Sequence, residues 1–285
     1  MITPLHIDSS DALIPAFGAY ALPKDREAWR RRAAKAGRGK IGQWSISLCR
    51  KRALRGLPPP FDVEISTALK ARLYPQGNRC EKRAIAGVHI WDTEERAFMK
   101  AAILQNTETF IFLDVGANVG LYSLYAAYYA QQAKRNIQIH AIEPDRENRR
   151  RLIDNARANG IALTVWPVAI SNQSGQSFLQ NHPDNRGEIK LGAPSIGESV
   201  NVTSLAEIIS QSDLKKIDLL KLDIEGHDLR ALTHLFENLD HSLYPKQLII
   251  ETGTPDDTPL MTLCYNQGYV VKGQGRLNLM LERDI

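Results

Sequence analysis

From residue 109 onward, short apolar runs alternate with stretches of helical spacing. FIFLDV (110–115) is uninterrupted enough to predict a strand buried on both faces of a parallel sheet. Leu121, Leu124, Tyr125 and Tyr128 follow at helical intervals. IQIHAIEP (137–144) predicts a second strand, and RENRRRLIDNARANG (146–160) a second helix closed by Asn159-Gly160. ALTVWPVAI (162–170) predicts a third strand. After a long polar insert, VNVTSLAEIIS (200–210) predicts a strand leading into a helix, with Ser204 and Glu207 at capping-box spacing. KIDLLKLDI (216–224), KQLIIET (246–252) and the pair GYVVKG (268–273) and LNLMLER (277–283) predict further strands. Helices are expected between them at 227–238 and 257–267, the second ended by Gly268. Strands alternating with helices imply right-handed crossovers and a mainly parallel α/β sheet. The last two runs are too close for a helical crossover, so a hairpin with an antiparallel edge strand is expected.

The first 60 residues look different and read as a separate basic segment. REAWRRRAAKA (26–36) and SISLCRKRALRG (45–56) predict helices broken by GRGK, and Pro58-Pro59-Pro60 ends the second. FDVEIS (61–66) alternates like an edge strand and TEERAFMKAAI (93–103) has helical spacing. The expected division is therefore 1–60, a strand and helix lead-in at 61–108, and a ligand-binding domain at 109–285.

Charge sharpens this division. Between Lys24 and Arg55 there are twelve Lys or Arg against two acids, a local net of +10 in a chain of net +4, so the rest carries −6. A basic arm on a mildly acidic body points to an anionic partner: a membrane surface, an anionic glycolipid or nucleic acid. At 43% hydrophobic and 24% charged the composition is that of an ordinary soluble protein, and no apolar run is long enough to span a bilayer. The N-terminus lacks a basic start followed by an apolar core, so no secretory signal is expected. Cys49, Cys80 and Cys264 are few and far apart, which predicts neither a disulfide framework nor a zinc site and points to the cytoplasm.

The chemistry-bearing candidates sit at predicted strand ends. In LDVGANVG (113–120) an acid ends the first strand and Gly116 and Gly120 allow a close backbone approach ahead of a helix with unpaired amides. A dinucleotide site would want G-x-G-x-x-G, whereas this turn is G-x-x-x-G. A carboxylate at Asp114 would repel a pyrophosphate but suits a cation, and S-adenosylmethionine carries both an ammonium and a sulfonium. Glu143 ends the second strand, 23 residues after Gly120, where it suits hydrogen bonds to both ribose hydroxyls. A tight strand–helix turn that holds nothing is the bland alternative.

In IDLLKLDIEGHDLRAL (217–232), Lys221, Asp223 and Glu225 alternate and share one side of a strand and its exit. A lysine in an apolar strand is costly unless paired, and Asp223 is its nearest partner. O-methyl transfer needs a group to take the acceptor's proton. His227 is the first choice as base, its basicity raised by nearby acids, and Asp223 the second. A solvent-exposed residue at a helix start is the bland reading of His227, and a structural ion pair that of Lys221 and Asp223. A divalent metal on Asp223, Glu225 and Glu251 is a further reading, which no close acid repeat favours.

With these residues in place, the chain resembles the FkbM-type S-adenosylmethionine-dependent methyltransferases. FLDVGANVGLYSL, AIEPD, VAISNQSG, VNVTSLAEII and IDLLKLDIEGHDLRAL occur in the family's order and at family-like spacing, with GVHIWDTEE resembling its lead-in. The likeness covers about residues 85–285 and leaves the basic segment outside. It implies a class I methyltransferase fold, Rossmann-like, seven-stranded and mainly parallel with the last strand antiparallel. It also implies O-methylation of hydroxyls, often on sugars of bacterial glycans or on natural products. By position, Asp114, Gly116, Asn118 and Gly120 would surround the methionine end of the cofactor, Glu143 would hold the ribose and Ala169 would lie by the adenine. Asp223, Glu225 and His227 would face the acceptor. Ala206 departs from the family's usual acid after the leucine, which touches a local helix-start contact.

The polar insert 181–199 is the expected source of acceptor contacts, through His182, Asn185 and Arg186, although an ordinary surface loop would look the same. The leading function is an O-methyltransferase for a hydroxyl-bearing small molecule, sugar or glycolipid, docked on an anionic membrane face by its basic arm. A nucleic-acid ribose 2′-O-methyltransferase is weaker, because Trp29 and Trp44 are the arm's few aromatics. The motif of amino-group methylation, N-P-P-Y, is also absent. A cofactor-binding protein without catalysis is the third class.

Overall fold

The computed structural model describes residues 2–37, 39–87, 91–182, 185–192, 198–224, 226–252 and 258–284, with backbone alone at 180–182, 185–192 and 258. A short strand, β1 (Leu5–Ile7), precedes helices α1 (Lys24–Lys35) and α2 (Lys40–Leu54), which pack on each other. A hairpin of β2 (Phe61–Ser66) and β3 (Leu69–Leu73) leads to α3 (Arg79–Ala84) and α4 (Thr93–Gln105). Then strands and helices alternate: β4 (Phe110–Val115), α5 (Leu121–Ala133), β5 (Ile137–Ile142), α6 (Arg146–Ala158) and β6 (Leu163–Trp166). A second set follows: β7 (Ala169–Ile170), β8 (Gly175–His182), β9 (Asn185–Gly192), β10 (Glu198–Thr203) and α7 (Leu205–Gln211). The chain closes with β11 (Leu219–Leu222), α8 (Asp228–Asn238), β12 (Gln247–Glu251), α9 (Thr258–Asn266), β13 (Tyr269–Gln274) and β14 (Asn278–Arg283).

Eight strands form the main sheet in the order β1-β6-β5-β4-β11-β12-β14-β13. The strands from β6 to β12 run parallel, and β14 is antiparallel to both its neighbours. The seven-stranded frame and its terminal hairpin are thus present, and β1 adds an eighth strand, antiparallel to β6. Strand order reverses between β4 and β11, the point where an open α/β sheet leaves a crevice at its carboxyl edge.

Alternation explains why both faces are dry. Phe110 and Phe112 of β4, Leu219 of β11 and Ile249 of β12 face one cluster with Leu121, Leu124 and Tyr125 of α5. Ile111, Leu113 and Val115, Leu220 and Leu222, and Leu248 and Ile250 face the other, closed by α7 and α8. Each fully buried side chain of this size contributes about 1.5–3 kcal/mol. Asp114, Lys221 and Glu251 fall on the α5 side by the same parity.

The amino-terminal residues are not a separate segment. Besides β1 in the main sheet, a buried ion pair ties 15–20 to the β2–β3 hairpin. Arg72 meets Asp62 bidentately at 2.8 and 3.0 Å, while Asp62 also accepts from Gly18 and Tyr20 amides and Arg72 donates to the Pro15 and Ala16 carbonyls. Asn155 of α6 and Asn159 just after it hold the hairpin through Arg72 and Lys70 backbone groups. Apart from Arg72 and Asp62 themselves, these partners lie 42 to 89 residues apart, beyond any local pattern.

The polar insert is not a loop but a β-hairpin, β8–β9, joined by β10 and β7 in a second sheet of four strands. Among the residues whose side chains are described, Leu179, Val200 and Val202 pack with Ala169 in this sheet. No helix among the described residues is long and apolar enough to cross a membrane.

Candidate active site

A row of polar groups occupies the carboxyl ends of the central strands on the α5 face. Lys221 is the cross-strand partner of Asp114. Its ammonium lies 3.0 Å from Asp223 Oδ2 and 4.8 Å from the centre of the Tyr122 ring on α5. Burial works against the Lys221 charge, but the carboxylates of Asp223 and Asp114 outweigh it and hold its pKa above the usual value. Burial would raise Asp223, yet Lys221 and a side-chain hydrogen bond from Glu251 keep it below the usual carboxylate value.

Asp114 does not reach the space beyond. It is fully buried, and its Oδ2 accepts from the amide and hydroxyl of Ser123 at 3.1 and 2.7 Å. The carboxylate thus caps the first turn of α5, where an anion is favoured by the helix dipole. Burial raises its pKa, with Lys221 and Ser123 opposing.

The glycine turn is held from two sides. The Gly116 and Ala117 amides both donate to the Ile142 carbonyl at 3.0 Å. The Asn118 amide donates to Glu143 Oε2 at 2.7 Å, with Asn118 itself in the left-handed region at φ 53. Glu143 Oε1 accepts from the Asp145 amide at 2.9 Å. Burial pushes the Glu143 carboxyl up to about 7 despite these two bonds. Gly116 and Gly120 both have positive φ, but their missing side chains make room for protein rather than ligand: a Cβ on Gly120 would meet Leu152 of α6 at 2.8 Å and one on Gly116 the exit of β11.

A cavity of about 210 Å³ opens at the carboxyl edge of the sheet. Its lining includes Gly116, Asn118, Ile142, Glu143, Val168 and Ala169 from β4, β5 and β6 and the segments that follow them, and Trp91, Asp92, Asp223, Ile224, His227 and Glu251, with Arg79, Arg83 and Arg276. His227 precedes the first turn of α8, and its Nδ1 is buried with no hydrogen-bond partner among the described residues. Its pKa is lowered, by burial first and then by Arg230, so the expectation that acids raise its basicity is corrected. Next to it, Asp228 at the start of α8 accepts from the Ile224 and Gly226 amides of the preceding turn at 3.3 and 3.2 Å.

Of the residues expected here, Gly116, Asn118, Glu143, Ala169, Asp223 and His227 line the cavity together. Asp114 and Gly120 lie behind it, and so does Lys221, which touches Asp223. Glu225 lies outside the described residues. His182 and Asn185 pair across the end of the β8–β9 hairpin and Arg186 follows in β9; their side chains are not described. Glu251, weighed as a metal ligand, stands beside Asp223, but no group of three or more His, Cys, Asp or Glu among the described residues is arranged to hold a metal. The arginines and Trp91, Asp92 and Cys80 were not singled out. For Arg79 and Arg83 the available signal was their one-turn spacing after Asn78, which caps α3 by accepting from the Glu81 amide at 3.2 Å.

The cavity fits S-adenosylmethionine in its donor set. The Glu143 carboxylate suits ribose hydroxyls, and Ile142, Val168, Ala169 and Ile170 form an apolar wall for a purine.

Sheet order, glycine turn and acid-ended second strand define a Rossmann-like methyltransferase fold. The chain belongs to the methyltransferase FkbM domain family, which it matches over residues 114–270. The family implies S-adenosylmethionine as methyl donor. AMB antimetabolite synthetase AmbE of Pseudomonas aeruginosa is 24% identical over 56% of this chain and 9% of that protein. The solved methyltransferase FkbM of Methylobacillus flagellatus KT is 16% identical, with a TM-score of 0.41 over 90% of this chain and 58% of that one. The METTL16 MTase domain is 15% identical, with a TM-score of 0.49 over 90% and 79%. The chain thus spans a small part of the curated relative and little more than half of the first solved one.

Proposed function

We propose that the chain is an S-adenosylmethionine-dependent O-methyltransferase acting on a hydroxyl of a sugar, in a bacterial glycan or glycolipid, or of a natural product. The observation that carries this reading is a cavity whose lining brings together Glu143, Asn118 and Ala169 with His227, Asp223 and Glu251. When bound, S-adenosylmethionine supplies a methyl group on a positively charged sulfur.

The chain's residues divide the remaining tasks. Glu143 holds the ribose, and its bond to the Asn118 amide fixes the turn against it. His227, kept neutral by burial and Arg230, takes the proton of the acceptor hydroxyl. Asp223 orients the acceptor by accepting a hydrogen bond from a neighbouring hydroxyl, since the reacting one has a single proton to give. Lys221 is a positioning residue that keeps Asp223 ionised, and its ammonium supplies the charge a metal cation would otherwise bring. Asp114 sets the start of α5 rather than touching the cofactor.

The α1–α2 hairpin supports an acceptor at a membrane. Ile41 and Trp44 are 85% and 68% exposed, less than one turn apart on α2, within the +10 segment. Such a face suits the anionic inner leaflet. Trp29 is covered by Arg32 and Arg52 at 4.6 and 4.7 Å, which leaves it a poor stacking platform for bases and weakens the nucleic-acid reading.

Thermal melting with S-adenosylmethionine, S-adenosylhomocysteine and NAD tests the proposal. Ligand at a hundred times its Kd stabilises by about 2.7 kcal/mol, a shift of about 5–10 °C in a chain of this size. The two S-adenosyl compounds should shift the wild type and not Glu143→Ala. A shift with NAD alone overturns the reading. Cofactor binding with a biological role that survives His227→Ala and Asp223→Ala would leave a non-catalytic binder.

A further inference from the structure

Asn78 lies outside the residues matched to the family, yet it bonds to the glycine turn. It is 2% exposed and immediately precedes α3. Two bonds fix its side-chain amide. Oδ1 accepts from the Glu81 amide at 3.2 Å and caps α3. Nδ2 donates to Asn118 Oδ1 at 2.9 Å, across 40 residues of chain.

The two ends of a side-chain amide are not equivalent: one accepts and the other donates. A backbone N–H can only donate, so the Glu81 amide makes Asn78 turn its oxygen to α3 and its nitrogen to Asn118. Asn118 must answer with its own oxygen. Its two N–H groups are then what remain for the cavity that it lines. The start of α3 thus sets the polarity of a cavity group on the glycine turn.

The backbone of Asn118 is held by other means. Its amide donates to Glu143 Oε2 at 2.7 Å, and the next carbonyl, of Val119, accepts from Asn155 Nδ2 at 3.0 Å. Neither bond decides which end of the Asn118 side chain faces the cavity, because nitrogen and oxygen have nearly the same shape. That choice falls to Asn78. Its helix is anchored in turn, since Glu81 accepts from the Tyr74 amide at 2.9 Å and from Arg151 of α6 at 2.7 Å.

S-Adenosylmethionine presents opposite polarities to this wall. Its ribose hydroxyls can donate to Glu143, whereas the carboxylate of its amino-acid end can only accept. We propose that Asn78 is a positioning residue for the cofactor: it holds Asn118 so that the side-chain N–H groups donate to that carboxylate. This rests on the cofactor reading of the same cavity.

Calorimetric titration of the full chain with S-adenosylhomocysteine and with 5′-methylthioadenosine tests it. The second ligand keeps the adenosine and the sulfur and lacks the amino acid. Asn78→Asp keeps an oxygen for the Glu81 amide but has no N–H, so Asn118 should turn its nitrogen to the new carboxylate and its oxygen to the cavity. S-Adenosylhomocysteine affinity should fall by about tenfold or more, as for a lost hydrogen bond to a charged group. Affinity for 5′-methylthioadenosine should stay within about twofold, which also shows that the variant is folded. Asn78→Ser, which caps without adding a charge beside Glu81, should give a selective loss of about threefold or more. In an Asn118→Gly background, which suits the left-handed backbone there, adding Asn78→Asp should cost less than about twofold further. Equal losses of both ligands in the Asn78 variants, failure to fold included, would mark a purely structural cap and overturn the proposal. Unchanged S-adenosylhomocysteine affinity, or a full further loss in the Asn118→Gly background, overturns it as well. Wild-type protein that binds both ligands equally places the amino-acid end away from Asn118 and overturns this proposal alone. Wild-type protein that binds neither overturns the cofactor reading and the proposal with it.

Discussion

A Cβ on Gly116 would stand 1.9 Å from the carbonyl oxygen of Asp223, so the turn after β4 and the exit of β11 fill each other's space. Gly116 also sits at φ +76, a region costly for other residues. The obstacle is backbone and cannot swing aside. Gly116→Ala should therefore destabilise the fold by at least about 2 kcal/mol, through strain and a forced shift of β11. Urea unfolding measures this, and S-adenosylhomocysteine affinity should fall with it. A variant of wild-type stability would show that the turn relaxes freely.

Glu143 ties stability to pH. Its folded pKa, about 7, is raised above the ordinary 4.5. Its contribution is therefore full below about pH 4.5 and is lost as pH rises through about 7, a total of about 3 kcal/mol. Melting temperature should fall between about pH 5 and about pH 8, and Glu143→Gln should flatten that slope. Glu81, raised to about 7 by burial against Arg151, has the same sign and leaves a residual slope. An unchanged slope in Glu143→Gln would place the proton elsewhere.

His227→Gln should lower kcat by about 10²–10⁴-fold while S-adenosylhomocysteine binding stays within a few-fold. The lowered pKa of His227 sets the sign of the pH profile. Activity rises with pH as the ring loses its proton, with the acid limb centred below the ordinary 6.5, and is level above neutrality. Transfer of labelled methyl into the acceptor across pH measures both. Retention of the same acid limb in the variant would assign the base to another group.

The Asp62–Arg72 pair has side chains 0% and 2% exposed. Asp62→Asn leaves a buried guanidinium without its anion and should cost about 3–5 kcal/mol in urea unfolding. Asp62→Leu/Arg72→Met removes both charges and should recover part of the loss. Protease cutting near residues 15–20 should increase in the single variant, because the Gly18 and Tyr20 amides lose an acceptor. A single variant of wild-type stability would mean the segment is held by β1 alone.

Much of the frame was legible because it is written in local alternation. FIFLDV, IQIHAI, LLKL and QLIIE each bury both faces, and Tyr269–Gln274 and Asn278–Arg283 are too close for anything but a hairpin. The meeting of Lys221 with Asp223 followed from two-residue spacing, and the bond is there at 3.0 Å. Ser204 does accept from the Glu207 amide, although Glu207 turns its carboxylate to Ser174 and Thr203 instead of completing the box. The β8–β9 hairpin stayed hidden because GQSFLQNH has only Phe178 and Leu179 apolar and NRGEIKLG only Ile189 and Leu191.

Spacing along the chain settles which residues share a strand face or a helix turn, since the backbone's period is fixed. It therefore set the strands, the row holding Lys221 and Asp223, and the place of the glycine turn. Distance across the fold depends on how elements pack, and no local period encodes it. Only packing put Arg79, Arg83 and Arg276 around one cavity, drew β1 into the main sheet, and turned Asp114 toward Ser123 rather than toward the ligand space. It also set the charges: the same carboxyl chemistry gives an Asp223 lowered by Lys221 at 3.0 Å and a Glu143 raised to about 7, because burial outweighs the two amides and Arg149 around Glu143.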